Sequence, residues 1–123
     1  MNPLDKLAFG WGARLRMVMQ TEAAECGLAC LAMIAQHHGR AADLPTLRRQ
    51  YGMSLKGATL ADLISVAGQI GLASRPLRLE LDELRQLRTP CVLHWDLNHF
   101  VVLVSVGANT ATIHDPAAGA RKL

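Results

Sequence analysis

Apolar positions recur at helical spacing through the first part of the chain. The stretch after Glu25 is apolar on nearly all sides and stops at Gly39, as expected of a buried helix. Asp43, followed by Leu-Pro, is a good N-cap. Thr59 and Asp62 have the spacing of a capping box, with aspartate in the place of the usual Glu or Gln. The pattern therefore predicts three helices, at residues 25–38, 43–51 and 59–71.

The spacing changes to that of strands after residue 72. A strand at 73–79 would be an edge or bulged strand because it contains Pro76, and a short helix is predicted at 80–87. Alternating and β-branched residues then predict three strands separated by two turns, at residues 91–95, 99–106 and 110–114. Helices followed by an antiparallel meander predict an α+β fold, with the N-terminal helices packed on one side of a C-terminal sheet.

The length of 123 residues predicts a single domain that spans the whole chain. Within it we expect a lead-in at residues 1–17, a helical part at 18–72 and a sheet part at 73–123. The sequence contains no internal repeat, no low-complexity segment and no linker.

Composition narrows the classes of function. The formal net charge is +3, aromatic residues make up 4% of the chain, and its basic residues are scattered rather than clustered. This favours solvated helix faces and gives no reason to expect a nucleic-acid partner. The first 20 residues carry charges among their apolar positions, unlike a signal peptide or a membrane span. Three cysteines, an odd number, favour free thiols in a reducing cytoplasm.

Cys26 is the candidate nucleophile, at the start of the first predicted helix. The helix dipole and free amides at this position favour a thiolate. Its own backbone N–H and the side-chain amide of Gln20 are candidate donors to an oxyanion, and Gly27 lets the backbone approach a bound carbonyl. Glu22 and Glu25 oppose the thiolate by their charge, so a nearby imidazolium is needed to hold the ion pair.

The other cysteines have simpler interpretations. Cys30 lies one helical turn after Cys26 and Cys91 begins a strand, so both are expected in the core. Cys26 and Cys30 could instead be two ligands of a metal site completed by histidines. No compact CxxC or HxxxH spacing supports this, and no metal is expected.

His99 and Asp115 are the candidate base and its orienting partner. If the hairpin turn is centred on Gly107, the two residues lie directly opposite each other and point to the same face. Asp115 would then fix the tautomer of the imidazole and leave its second nitrogen for the thiol. A one-residue slip in register would alter this pairing. The rivals His94 and His114 fall on the opposite face by alternation.

At these residues the sequence resembles peptidase family C39, the papain-like cysteine peptidases found at the N-terminus of bacteriocin-processing ABC exporters. The family's cysteine motif is Gln, four residues, Asp or Glu, then Cys, with Ala and Met after it. The resemblance covers about residues 18–117. It is especially strong to the members of the family that belong to the colicin V exporter type. It rests on Gln20, Glu25, Cys26, Ala29 and Met33, on the run from His99 to Leu103, on Asp115-Pro116, and on residues 22–34 and 89–95.

The resemblance implies a papain-like fold and a double-glycine endopeptidase. It implies that Cys26 attacks the carbonyl of the second glycine, that His99 acts as base and then acid, that Asp115 orients His99, and that Gln20 contributes to the oxyanion hole. The implied substrate is a peptide precursor with a Gly-Gly leader. The alternatives are a non-catalytic domain that only docks such leaders, and a thiol-redox or metal module.

The resemblance also implies a place in a larger assembly. The implied partners are the membrane and nucleotide-binding domains of an ABC transporter, at the cytoplasmic face of the bacterial inner membrane, with this domain itself soluble. No cofactor is expected, and ATP would serve only the parent transporter, because the chain contains no Walker A sequence. Family domains usually continue beyond the position of Leu123, so the resemblance implies a last C-terminal strand outside this sequence.

Overall fold

A computed structural model describes residues 15–21, 25–51, 59–95 and 99–123 of the chain. Helices come first and strands second within these ranges. The helices are α1 (Cys26–His37), α2 (Leu44–Tyr51), α3 (Leu60–Gln69) and the 3-10 helix η1 (Leu81–Gln86). The strands are β1 (Cys91–Trp95), β2 (His99–Val106), β3 (Ala111–Asp115) and β4 (Gly119–Lys122).

The three predicted α-helices form, and two of them begin with the predicted caps. The Oδ1 of Asp43 accepts a hydrogen bond from the backbone N–H of Thr46 at 2.7 Å, before α2. Thr59 and Asp62 form the reciprocal capping box of α3, with bonds of 3.2 and 3.0 Å. After α1, Gly39 takes a left-handed conformation with φ of 80°, which a residue with a Cβ would adopt only under strain.

The four strands form one antiparallel sheet in the order β1-β2-β3-β4. Helix α1, buried from Cys26 to Ala35, packs on the face of β2 that carries Phe100 and Val102. The opposite face carries a smaller cluster around Val101, Leu103 and Ile113. The predicted α+β fold, with its N-terminal helices packed on an antiparallel sheet, is therefore confirmed.

One predicted strand does not form, and one strand of the structure was not predicted. Residues 73–79 form no strand, since this largely exposed segment pairs with no neighbour in the described parts of the chain. Strand β4 was not predicted because three of its four residues are exposed and lack an apolar alternation. The predicted turn at 96–98, like the lead-in before residue 15, lies outside the described residues.

The predicted register between β2 and β3 is also wrong. Val102 lies opposite His114, and continuing this pairing would set Asp115 level with Val101 rather than His99. The turn is a four-residue loop closed by a bond of 2.7 Å from the N–H of Gly107 to the carbonyl of Thr110. This loop shifts the register by three residues, and a β-bulge between Leu103 and Ser105 takes one of them back. The combined shift is two residues, and an even shift keeps His99 and Asp115 on one face.

No helix in the described parts of the chain is long and apolar enough to cross a membrane.

Candidate active site

The side chains of His99 and Asp115 are hydrogen-bonded, as predicted, although the two residues are not directly opposite. His99 is the first residue of β2 and Asp115 is the last residue of β3. The Nε2 of His99 lies 2.7 Å from the Oδ1 of Asp115. The same oxygen accepts a second bond, of 2.9 Å, from the backbone N–H of Ala117. The sheet thus holds one ring nitrogen of His99 at a carboxylate and leaves Nδ1 for another partner.

The surroundings of Asp115 favour its charged form. Burial, which leaves Asp115 only 7% exposed, by itself raises the pKa of the carboxyl. The N–H of Ala117, the bond and charge of His99 and the charge of Arg121 outweigh burial, so the pKa lies below its ordinary value. An ionised Asp115 only accepts hydrogen bonds, and the Nε2 of His99 therefore donates to it.

Cys26 is buried at the first position of α1, next to the strand that begins with His99. Its neighbour Gly27 leaves no room for a side chain: a Cβ there would lie 2.9 Å from Cδ1 of Leu63 and 3.5 Å from Cδ2 of Phe100. Gly27, which follows Cys26, therefore lies against Phe100, which follows His99.

The surroundings of Cys30 hold its thiol in the protonated form. Burial raises the pKa of Cys30 well above its ordinary value, and the charges of Cys26 and Asp115 raise it further. Cys30 itself is fully buried in the core, as predicted.

Gln20 is attached to the same corner of the molecule by its backbone. Its N–H donates a bond of 3.0 Å to the carbonyl of Pro116, the residue after Asp115. The next residue, Thr21, donates through its N–H and its Oγ1 to the Oε1 of Glu25, at 3.0 and 2.8 Å. Gln20 and Thr21 are thus bonded on one side to the turn between β3 and β4 and on the other to the residue that precedes α1.

An ion pair beside Cys26 was not predicted. Glu25 is 4% exposed, and the guanidinium of Arg48 on α2 bonds both of its carboxylate oxygens. From the sequence, Glu25 was interpreted as a charge opposing the thiolate and as the acidic residue of the cysteine motif, with no partner named for its carboxylate. The one available signal was an acidic residue at the start of a buried helix. A carboxylate in that position needs a cation or a hydrogen-bond donor as its partner. Glu22, also predicted to oppose the thiolate, lies outside the described residues.

The rival histidines lie on the face of the sheet opposite His99, as alternation predicted. His94 pairs with Phe100 and stacks on its ring at a centroid distance of 4.5 Å. His114 pairs with Val102 and is 8% exposed, and burial lowers its pKa. Cys91 is only partly buried, and burial raises its pKa. In the ranges that the structure describes, no three or more His, Cys, Asp or Glu residues are grouped so as to hold a metal ion.

The arrangement has the parts required for nucleophilic acyl transfer. A thiol at a helix N-terminus, a carboxylate-oriented imidazole and a fixed segment carrying a side-chain amide lie at one end of the sheet. Of the four predicted residues, His99 and Asp115 are joined directly, and Cys26 and Gln20 are held next to them by their neighbours.

Comparison with known proteins connects this chain to one family. The family model of the Peptidase C39 family matches residues 14–123. The chain is 56% identical over 118 residues to the colicin V secretion/processing ATP-binding protein CvaB of Escherichia coli. It is 52% identical over 120 residues to the probable microcin-H47 secretion/processing ATP-binding protein MchF of the same species. These matches cover 96% and 98% of this chain but only 17% of either relative's length.

Two solved structures share the fold. One is a double glycine motif protease from an AMS/PCAT transporter in complex with the leader peptide, with a TM-score of 0.80 and 36% identity, covering 90% of this chain and 80% of that one. The other is the peptidase domain of Streptococcus ComA, with a TM-score of 0.74 and 23% identity, covering 89% and 86%. The second likeness concerns the fold alone.

Proposed function

The chain belongs to the peptidase C39 family and is a cysteine peptidase, and we propose that it cleaves a peptide precursor after a Gly-Gly pair to remove its leader. The observation that carries this proposal is the bond of 2.7 Å between His99 and Asp115, in a chain whose candidate nucleophile Cys26 begins the adjoining helix. The substrate class is supported by the relative of 36% identity, which is a double glycine motif protease in complex with a leader peptide.

In the proposed reaction the Nδ1 of His99 takes the proton of the Cys26 thiol. The thiolate then attacks the carbonyl carbon of the second glycine, and the negative charge moves to the carbonyl oxygen. The N–H of Cys26 and the side-chain amide of Gln20 donate hydrogen bonds to this oxygen. Asp115 stabilises the imidazolium throughout, because its charged form accepts the bond from Nε2.

Collapse of the tetrahedral intermediate breaks the peptide bond. His99 gives its proton to the leaving amine of the mature peptide, and the leader remains on Cys26 as a thioester. His99 next takes a proton from water, and the water oxygen attacks the thioester carbonyl. The C–S bond then breaks, the leader leaves with a new carboxyl group, and His99 returns its proton to the sulfur of Cys26. These steps use only the chain, the substrate and water, so the proposed peptidase reaction needs no cofactor.

The preference for two glycines would come from exclusion. A subsite narrow enough to hold Gly-Gly closely has no space for a Cβ, so any larger residue clashes with the protein rather than merely losing a contact. We therefore expect replacement of either glycine by alanine to reduce the rate of cleavage strongly. Replacement of polar leader residues that lie away from the Gly-Gly pair should reduce it less.

We further propose that the chain acts as part of an ABC exporter. The two Escherichia coli relatives are secretion/processing ATP-binding proteins, and this chain spans 17% of their length. The remaining partners would be membrane and nucleotide-binding domains, with the peptidase at the cytoplasmic face of the inner membrane. ATP would be bound by those domains.

The test is cleavage of a synthetic Gly-Gly precursor, followed by mass spectrometry, with the wild type and matched variants. We expect a single cut after Gly-Gly by the wild type and by Cys91→Ala, and none by Cys26→Ala. His99→Ala should lose on the order of 10³-fold in rate, and Asp115→Asn should retain more activity than either of those two variants. Binding of the leader, measured by calorimetry, should be unchanged in all of them.

Two results would contradict the proposal. Cleavage by Cys26→Ala at the wild-type rate would exclude Cys26 as the nucleophile. Tight binding of the precursor without any cut by the wild type would favour the alternative, a domain that only docks leader peptides. Equal loss of binding in every variant would indicate misfolding, which circular dichroism detects separately.

A further inference from the structure

Glu25 places a buried negative charge immediately before the candidate nucleophile. Its side chain is 5% exposed, and the residue precedes α1 directly. In a site of low dielectric such a charge raises the free energy of a neighbouring thiolate. The proposed reaction begins with that thiolate, so the charge of Glu25 must be balanced for Cys26 to act.

Arg48 supplies the balancing charge. Its Nε donates to Oε2 of Glu25, and one terminal nitrogen donates to Oε1 at 3.2 Å. Two oxygens held by one planar guanidinium form a bidentate pair, whose geometry fixes the carboxylate in direction as well as in place. The side chain of Arg48 is 35% exposed, which lets the guanidinium keep some contact with water.

The same guanidinium also fixes the segment that carries Gln20. A terminal nitrogen of Arg48 donates to the Oγ1 of Thr21 at 2.7 Å. Thr21 in turn donates twice to Glu25, so three side chains form a closed hydrogen-bonded triangle. One corner of this triangle is bonded in sequence to Gln20 and another to Cys26. The distance between the oxyanion donor and the nucleophile therefore depends on a residue of α2.

We propose that Arg48 is a positioning residue of the peptidase: it neutralises Glu25 beside Cys26 and, through Thr21, sets Gln20 against the nucleophile. This inference rests on the proposed function, since it assumes that Cys26 and Gln20 act in the reaction. It assigns to α2 a part in catalysis that no motif around the cysteine or the histidine includes.

The experiment is the rate of alkylation of Cys26 by iodoacetamide as a function of pH, read by fragment-ion mass spectrometry so that each cysteine is followed separately. Arg48→Met is compared with Arg49→Met, which removes the same charge at the next position of α2. Arg49 is exposed and bonds Thr46 rather than Glu25, so it is the matched control. Arg48→Lys and the double variant Glu25→Gln/Arg48→Met complete the set.

We expect Arg48→Met to slow alkylation of Cys26 near pH 7 by about tenfold and to move the midpoint of the profile to higher pH, an effect of ~1.4 kcal/mol on the thiolate. Arg49→Met should alkylate at the wild-type rate. Arg48→Lys keeps the charge and should keep the midpoint. The double variant should recover the wild-type midpoint, because it contains neither charge, while cleavage of the precursor stays slower because the bidentate contact is lost.

Three outcomes would overturn the inference. If Arg48→Met and Arg49→Met give the same profile, Arg48 has no special effect on Cys26. If the double variant remains as slow to alkylate as Arg48→Met, the ion pair has only a structural role and charge neutralisation is wrong. If Cys26 of the wild type reacts no faster than Cys91, the assignment of the nucleophile itself fails, and the cleavage assay reports that failure independently.

Discussion

At the scale of single residues, Asp115 determines which state of His99 is available to the reaction. It accepts bonds from the Nε2 of His99 and the N–H of Ala117 while remaining 7% exposed. A group in this position must stay charged, because a protonated carboxyl would release Nε2 and allow the other tautomer. The folded state maintains the charge by lowering the pKa of Asp115 despite its burial.

The lowered pKa of Asp115 makes the stability of the fold depend on pH in a defined direction. A carboxyl whose pKa is lower in the folded state stabilises the fold above the ordinary aspartate pKa of about 4, and this contribution is lost as the pH falls through the folded value. Asp115→Asn should therefore lower the free energy of unfolding by about 1–3 kcal/mol at pH 7 and by much less at pH 3. Urea unfolding at both pH values measures this.

A matched variant separates charge from packing in that prediction. Asp43→Asn changes an exposed N-cap aspartate, whose pKa is also lowered by its hydrogen bonds with Thr46, to a residue that caps a helix equally well. Its effect should depend on pH in the same direction but be smaller than that of Asp115→Asn at pH 7. If Asp115→Asn is as destabilising at pH 3 as at pH 7, its effect comes from shape, and the charged state of Asp115 does not stabilise the fold.

The sequence was sufficient to name the candidate residues because their chemistry is local. Cys26 at a helix start, Gln20 six residues earlier, and a histidine and an aspartate on one hairpin are each recognisable from residue type and spacing. Arg48 was not recognisable. Its partner lies 23 residues away on another helix, and no period or cap specifies which arginine of α2 turns towards Glu25.

At the scale of elements, the close approach of α1, α3 and β2 depends on Gly27. A Cβ at this position would lie 2.9 Å from Cδ1 of Leu63, a buried residue of α3, and 3.5 Å from Cδ2 of Phe100 in β2. The start of α1 carries Cys26, so any displacement of this helix end also moves the nucleophile relative to His99.

We therefore expect Gly27→Ala to destabilise the fold by about 1–3 kcal/mol, which is the range for overpacking a core. Gly68→Ala is the control, since Gly68 lies within α3 and a Cβ there would meet no atom from elsewhere in the described parts of the chain within 4 Å. Alanine there should stabilise by about 0.5–1 kcal/mol through its helix propensity. Thermal unfolding of both variants tests this. If Gly27→Ala is as stable as the wild type, the side chain of Leu63 can move aside.

The hairpin shows why register is the weakest of the sequence predictions. Turn residues at 107–109 predicted the reversal but not the four-residue loop, and nothing in the sequence specified the bulge between Leu103 and Ser105. The predicted contact of His99 with Asp115 nevertheless formed, because the error was even in number and both side chains can reach diagonally across the strands. The reliable part of the prediction was the face of the sheet on which each side chain lies, because the alternation of apolar residues determines it.

At the scale of the whole molecule, the order of helices before strands was enough to predict the architecture. An antiparallel meander has one face to cover, and the buried helix that precedes it covers that face. The edges of the architecture were harder to predict. Segment 73–79 has strand-like residues without a strand to pair with, whereas β4 pairs with β3 by its backbone although its side chains are exposed. Backbone pairing at a sheet edge leaves little trace in side-chain pattern.

Packing of the sheet also makes the whole fold sensitive to mild acid. His114 lies on the face of β3 opposite Asp115 and is 8% exposed, and burial lowers its pKa. Its Nδ1 has no hydrogen-bond partner among the residues that the structure describes. The unfolded chain takes up a proton at the ordinary histidine pKa of about 6.5, before the folded chain does. The free energy of unfolding should consequently decrease as the pH falls below that value.

We expect His114→Gln, which cannot be protonated, to flatten the decrease in unfolding free energy between pH 7 and pH 5. His37, whose pKa is lowered by burial and by the charge of His38, contributes in the same direction, so some slope should remain. Urea unfolding at half-unit steps of pH measures the slopes directly. An unchanged slope in His114→Gln would mean that His114 is protonated alike in both states, and that the sheet tolerates the charge despite its burial.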